Sequence, residues 1–322
     1  MAIRTPHFPD LLFDAASRLR TWESALLRLL ADRGYKELRP SLVMREPMAQ
    51  SAMRLFDQDE LVGLRWDFTE ALARLLASRF TEPPPRIAYA GAVFRRSAAS
   101  WEAVERWEVG CERIQASGED AAEADLDLAR MLMAVPAAVG LKRSLLHLGD
   151  AALWRRPLEA EAVPAPLAAT ATRALHQRAP HRVREALEDH PSAMRIADHA
   201  AVLASEPDGL PGLDALGSSP FAALLAPDIE RLIARFQTLQ ALMPPGVDLR
   251  LDLADVADLD FYTGPTLRLW AAGATASLAA GGRYDLLYPE LGKPWQAAGF
   301  CVRLSALLEL RESRPELFEA TP

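Results

Sequence analysis

The stretch AAGGRYDLLYPELG, residues 279–292, sets two adjacent glycines beside an arginine, a tyrosine and an aspartate, between an apolar alternating run and a second glycine-containing turn. Paired glycines let a strand pass close beneath a ligand, where any Cβ would intrude. Arg283, Tyr284 and Asp285 can then brace the following turn through side-chain hydrogen bonds. The same residues also suit a bulge that merely closes a sheet, and both readings can hold together. On the N-terminal side, VDLRLDLADV alternates Leu249, Leu251 and Leu253 with Arg250 and Asp252, and TLRLW and ATASLAA continue the period of two. On the C-terminal side, GFCVRLSALLELRES passes from a strand into a closing helix.

Working outward, residues 11–33 place Leu12, Leu19, Leu26 and Leu30 near one helical face, and Gly34 is a natural stop. Tyr35 to Met44 is extended, with Pro40 placing it at an edge or an interface. The pattern turns helical at Asp67, a candidate N-cap with Glu70 three residues on. RIAYAGAVFRR and WEVGCERI read as strands joined by the loop SAASWEAVE, residues 119–139 as a helix, and LLHLGD as a strand end. Residues 151–245 lose all alternation, which predicts a small helical insertion. The order helix, mixed strands, helical insertion, antiparallel strands, helix gives an α+β class rather than a doubly wound sheet.

Half of the 322 residues are apolar, enough for a sizeable core, and the formal net charge is -8. Basic residues are scattered rather than gathered in a stripe, which argues against nucleic acid as a partner. No apolar run approaches membrane-span length, and the opening residues lack a secretory pattern, so the expected location is cytoplasmic, without a membrane partner. Cys111 and Cys301 stand far apart and read as packing residues; neither they nor the six histidines show ligand spacing, and no metal or cofactor is expected. Nucleotide-loop, metalloprotease and serine-hydrolase templates are absent.

What remains is a series of polar islands at strand ends: GYKELRPSLVM, LRWDFTEALARLLA, RIAYAGAVFRR, WEVGCERI, DLDFYTG and AAGGRYDLL, followed by AAGFCVRL. In sequence and order they resemble the core of histidyl-tRNA synthetase, a class II aminoacyl-tRNA synthetase, over nearly the whole chain except the insertion. The resemblance implies one domain over residues 1–322, an antiparallel sheet flanked by helices with an amino-acid pocket on the sheet face, and a homodimer formed partly around Pro40.

A histidine ligand presents an ammonium, a carboxylate and an imidazole, and needs an anion, a cation and a reader of ring N–H. The resemblance supplies a candidate histidine-binding set. Asp67 and Thr69 stand at the ammonium, although Asp67 also serves as a cap. Arg95 matches the arginine that reaches the substrate carboxylate and ATP phosphate. Glu112 and Tyr262 stand beside the imidazole, Glu108 replaces the usual glutamine, and Gly281 and Gly282 form the floor. Other positions depart from the family. Ala306, preceded by Ser305, stands where an arginine stacks on adenine, Ala257 where a catalytic arginine precedes DLDFY, and Ser97 where a glutamate is expected. Only RPELFEATP follows residue 313, so no anticodon-binding domain is expected.

A synthetase core with the histidine pocket kept and the ATP chemistry lost resembles the regulatory subunits of ATP phosphoribosyltransferase. That resemblance implies no catalytic residue in this chain and a hetero-oligomer with a short catalytic subunit acting at the first step of histidine biosynthesis. Free histidine is implied as the regulatory ligand. The alternative is a synthetase-like ligase that activates an amino acid.

Overall fold

The computed structural model describes residues 10–45, 53–84, 86–95, 104–205, 210–256 and 262–319. Its N-terminal helix α1 (Phe13–Ala31) buries Leu19, Trp22, Leu26 and Leu30, spaced three and four apart on one face. Leu12, expected on that face, instead precedes the helix and is exposed, so Trp22 completes the stripe.

Short strand β1 (Lys36–Glu37) is followed by β2 (Val43–Arg45), β3 (Arg54–Asp57), β4 (Glu60–Leu64) and helix α2 (Phe68–Arg79). β2, β4 and β3 form a small antiparallel sheet that the sequence reading did not anticipate. Its alternation is weak because Leu55, Phe56 and Leu61 remain exposed. Arg65 ties it to the main sheet, donating to Pro40 O at 2.8 Å and Ala92 O at 2.7 Å and lying 4.0 Å over the Phe68 ring. Gly91, at φ +144°, is required where this arginine packs, because a Cβ would meet Arg65 Nη2.

The main sheet continues through β5 (Arg86–Phe94) and β6 (Glu105–Ala116). Helix α3 (Ala122–Ala138) then leads to β7 (Ser144–Asp150). Helices α4 (Ala152–Ala160), α5 (Ala165–His176), α6 (Pro180–Ala186), α7 (Ala193–Ala204), α8 (Leu210–Ala215) and α9 (Ala222–Leu242) come next. The chain returns through β8 (Val247–Leu251), β9 (Pro265–Trp270), β10 (Ala279–Arg283), α10 (Leu287–Glu290), β11 (Trp295–Arg303) and α11 (Leu304–Ser313). Strand order is β1-β5-β6-β11-β10-β9-β7-β8, antiparallel through the centre and parallel at the two outer pairs, β1 with β5 and β7 with β8. ATASLAA contributes only its last two residues to a strand; residues 271–278 are mostly turns and bends that connect β9 to β10.

Period-two alternation divides the sheet into two faces. Val109, Cys111, Ala298, Phe300, Val302, Leu267 and Leu269 join the large core beneath α1, α3, α9 and α11. On the opposite face Ile87, Tyr89, Val93, Ile114 and Ala297 meet Phe68, Leu72 and Leu76 of α2, together with Tyr284, Tyr288 and Trp295.

The GGRYD motif is anchored through the sheet. Arg283, 5% exposed, donates through Nε and Nη2 to Asp125 Oδ1 of α3 at 3.0 and 2.8 Å, and through Nη1 to Asp285 at 3.0 Å. Asp125 in turn holds Arg235 of α9 at 3.2 Å, and Arg235 lies 3.6 Å from Asp150 at the end of β7. Each buried charge therefore has a counter-charge, as burial demands.

Candidate functional site

The alternation that sends Val109 and Cys111 into the core turns Glu108, Gly110 and Glu112 to the other face, so WEVGCERI delivers two carboxylates to one surface. Above them lies a cavity of about 570 Å³, within the ordinary size of a small-molecule site. Asp67, Thr69, Arg95, Glu108, Glu112 and Tyr262 all line it. The α2 N-terminus, the end of β5, β6 and the segment before β9 bring them together from distant parts of the chain.

Asp67 caps α2 by accepting from Glu70 N at 3.1 Å, and its other oxygen accepts from Arg95 Nη2 at 3.0 Å. The cap and the site contact thus coexist. Glu70 does not complete a reciprocal box: its carboxylate accepts from the Trp66 indole and from Arg74. Arg95 also donates to Trp66 O at 2.7 Å and pairs with Glu108 at 3.3 Å. Burial works against the Arg95 charge, but Glu108 and Asp67 outweigh it and raise the guanidinium pKa. Glu108 is 1% exposed, and one of its oxygens, Oε1, makes no hydrogen bond. Burial raises its pKa, while Arg95 pulls it back.

Glu112 sits at the opposite corner. Thr69 Oγ1 donates to Oε1 at 3.0 Å, Tyr89 OH to the same oxygen at 3.5 Å, and Tyr284 OH to Oε2. Burial pushes this carboxyl well above the usual range, opposed by the Thr69 and Tyr89 hydrogen bonds. A carboxyl poised in this way can accept N–H from a ring and exchange a proton with it.

Gly281 and Gly282 are not among the residues that line the cavity; Ala280 and Gly299 are. The glycines are needed for cross-strand reasons. A Cβ on Gly281 would strike Phe300 and Gly299 O on the core side, and one on Gly282 would press on the Tyr262 ring and Pro265 O. Gly282 thus lets Tyr262 lie down on the strand. Tyr284, read from sequence as a turn brace, instead reaches Glu112; its signal was the alternation 280, 282, 284. Tyr89 was legible in the same way, two residues before Gly91. Arg268 and Cys301 also line the cavity. Cys301, read from sequence as a packing residue, thus forms part of the cavity wall, and burial, with Glu108 adding to it, pushes its thiol up to about 12.

Ala306 packs against the main core at the start of α11, and Ser305 Oγ accepts from Trp107 N at 2.9 Å. Ser97 and Ala257 lie outside the described residues.

A model of the histidyl-tRNA synthetase family matches residues 7–307. An ATP phosphoribosyltransferase regulatory subunit from Anaeromyxobacter dehalogenans is 32% identical over 312 residues, covering 92% of this chain and 87% of its own. Among solved structures, a histidine–tRNA ligase subunit from Alicyclobacillus acidocaldarius is 28% identical with a TM-score of 0.74, covering 98% of both chains. A chain of the ATP phosphoribosyl transferase (HisG:HisZ) complex from Thermotoga maritima is 15% identical with a TM-score of 0.65 over 88% of this chain and 96% of its own, and shares the fold.

Proposed function

The chain belongs to the histidyl-tRNA synthetase family and, within it, to the ATP phosphoribosyltransferase regulatory subunits, and on that premise we propose that it assembles with a short catalytic subunit and couples free histidine to that partner's activity. The observation that carries the ligand half is the convergence of Asp67, Arg95 and Glu108 at one corner of the cavity and Glu112 with its three hydroxyl donors at another. The first corner suits an ammonium, the second an imidazole. Binding here biases the partner only if the ligand has different affinity for two states of the complex, and such coupling is typically worth about 5- to 150-fold. The chain itself carries out no step of phosphoribosyl transfer.

A homodimer within the complex draws support from the face around Pro40, where Leu42, Val43, Leu55, Phe56 and Leu61 are exposed. Among the described residues no helix is long and apolar enough to cross a membrane, in keeping with a complex assembled in the cytoplasm.

The test is to mix the chain with a short catalytic subunit from the same organism. Co-elution in sizing chromatography, a raised rate and inhibition by histidine are expected; separate elution with an unchanged rate rejects the assignment. The ligase reading draws on Arg95, which remains held in the cavity, and is opposed by Ala306, which offers no cation to adenine. Histidine-dependent exchange of pyrophosphate into ATP, abolished in Arg95→Ala, would establish it instead.

A further inference from the structure

We propose that the helix side of the main sheet carries a second site, in which Arg33, Arg86 and Arg113 take the phosphate of a phosphorylated small molecule. It lies on the face opposite the cavity and does not depend on what that cavity binds.

The alternation that turns Glu112 toward the cavity turns Arg113 to the other face, with Val109 and Cys111, and Arg86 takes that face with Ala88. Arg86 and Arg113 are direct partners across β5 and β6, so two cations stand side by side, which costs stability unless an anion intervenes. Arg33, in the turn after α1, adds a third cation. All three share Asp127 of α3. Its Oδ1 lies 3.5 Å from Arg33, and its Oδ2 lies 3.4 Å from Arg113 and 3.9 Å from Arg86. Among the described residues no other carboxylate lies within 4.0 Å of these guanidinium groups, so one negative charge faces three positive ones.

A structural ion pair in this protein looks different. Arg283 meets Asp125 through two N–H groups at 3.0 and 2.8 Å and Asp285 through a third at 3.0 Å, so its donors are used and its charge is matched. Around Asp127 the contacts are long and few. Arg33 and Arg113 each spend one N–H, at 3.5 and 3.4 Å, and Arg86 makes no hydrogen bond with the described residues although its Nε is buried. Tyr35 belongs to the same place. Arg86 Cζ lies 5.9 Å from its ring centroid, the residue is 4% exposed, and its hydroxyl is buried without a hydrogen-bond partner. Burial, with Cys111 and Asp127 adding to it, raises the Tyr35 pKa against the pull of Arg113 and Arg86, so the hydroxyl stays a donor. The locality is therefore rich in donors and short of acceptors, and an oxyanion supplies what is missing. Charge selects the anion. Three guanidinium groups and one carboxylate leave two positive charges, which a phosphate monoester, carrying about −1.5 to −2 near neutral pH, offsets and a single carboxylate does not. Arginine forks match phosphate oxygens in pairs. The side chains of Arg33 and Arg86 are 48% and 37% exposed, which leaves them within reach of a dissolved ligand.

The experiment is titration calorimetry of the full chain with glycerol phosphate, at about pH 7.5 where the ester is the dianion, with acetate at equal ionic strength as the monovalent control. Wild type should bind the ester at least about 10-fold more tightly than acetate, and the double variant Arg33→Gln/Arg86→Gln, at two part-exposed positions, should weaken it about 10- to 100-fold. Asp127→Asn removes the competing anion and should tighten the ester about 3- to 10-fold, an effect that a purely structural cluster would not produce. If Asp127→Asn does not fold, as judged by circular dichroism, the arginine double variant decides alone. A wild type without preference for the ester, affinity retained in the double variant, or affinity unchanged or weakened in folded Asp127→Asn overturns the site. Affinity lost in Arg95→Ala and retained in the double variant puts the phosphate in the sheet-face cavity and overturns it as well. So does a wild type that ignores the ester but loses salt-sensitive association with the catalytic subunit in the double variant, since the cluster would then meet carboxylates of a protein.

Discussion

In the cavity, Glu112 is buried with the hydroxyls of Thr69, Tyr89 and Tyr284 turned toward it, whereas in the helical segment between β7 and β8 His199 is buried with both ring nitrogens closed off. Ser219 Oγ lies 2.8 Å from its Nδ1 and Leu153 O 2.8 Å from its Nε2, and Trp154 and Phe221 flank the ring. Burial moves both groups toward their neutral forms, raising the Glu112 pKa and lowering that of His199 to about 4. The difference lies in what is left over. His199 is saturated by the protein and serves to join α4, α7 and the start of α9. The sheet-face cluster instead opens on a cavity: Glu108 Oε1 is paired by charge with Arg95 at 3.3 Å but accepts no hydrogen bond, and Asp67, Arg95 and Glu112 face the same space, so these polar groups are organised around something else. A buried polar group that is fully satisfied marks structure; one that is incompletely satisfied beside a void marks recognition.

That contrast can be broken most forcefully from the structural side. Phe236→Ala, in the buried stripe of α9, should cost about 3–5 kcal/mol in denaturant unfolding and leave histidine affinity of the folded protein unchanged. A parallel loss of affinity would show that the helical segment shapes the pocket. Glu112→Gln should do the reverse. It keeps the side-chain volume and turns one accepting oxygen into an amide donor facing the hydroxyls and the ring, so histidine affinity should fall about 10- to 100-fold in calorimetry while stability stays within about 1 kcal/mol. Unaltered affinity would remove Glu112 from the ligand's contacts.

The third prediction concerns pH. Because the folded pKa of His199 is depressed from 6.5 to about 4, its contribution to stability is fully present above pH 6.5 and is lost as pH falls toward 4, where the unfolded chain has already taken up the proton. Asp150 acts in the opposite direction. Burial raises it from 3.8 to about 6, so its contribution declines as pH rises through that window and masks part of the histidine slope in the wild type. Comparing His199→Gln with wild type cancels the Asp150 part: the variant should gain about 2 kcal/mol relative to wild type between pH 7 and pH 5. A constant difference would mean that His199 is already charged in the fold. The smallest effect belongs to the surface. Arg143→Ala breaks a 3.9 Å pair with Asp248 in which both side chains are more than two-thirds exposed, and should move stability by no more than about 0.5 kcal/mol.

Much of this architecture is written in local pattern. The alternation in WEVGCERI sends Glu108 and Glu112 to one side and Val109 and Cys111 to the other, whatever packs on them. Asp67 caps α2 because a short carboxylate before a helical run satisfies an orphan amide, and Gly281 and Gly282 announce a close approach without saying of what. The small sheet of β2, β3 and β4 escaped notice because its side chains alternate poorly between buried and exposed. What partners a residue was not legible either. That Tyr284 turns to Glu112, 172 positions away, that Arg283 reaches through the sheet to Asp125, and that Arg268 joins the same cavity all depend on which strands lie side by side. Local sequence determined the elements and the face each side chain takes, since backbone period and capping act over a few residues. Only the tertiary structure decided which faces meet, since strand order and register join residues across most of the chain and set the spacing between charges.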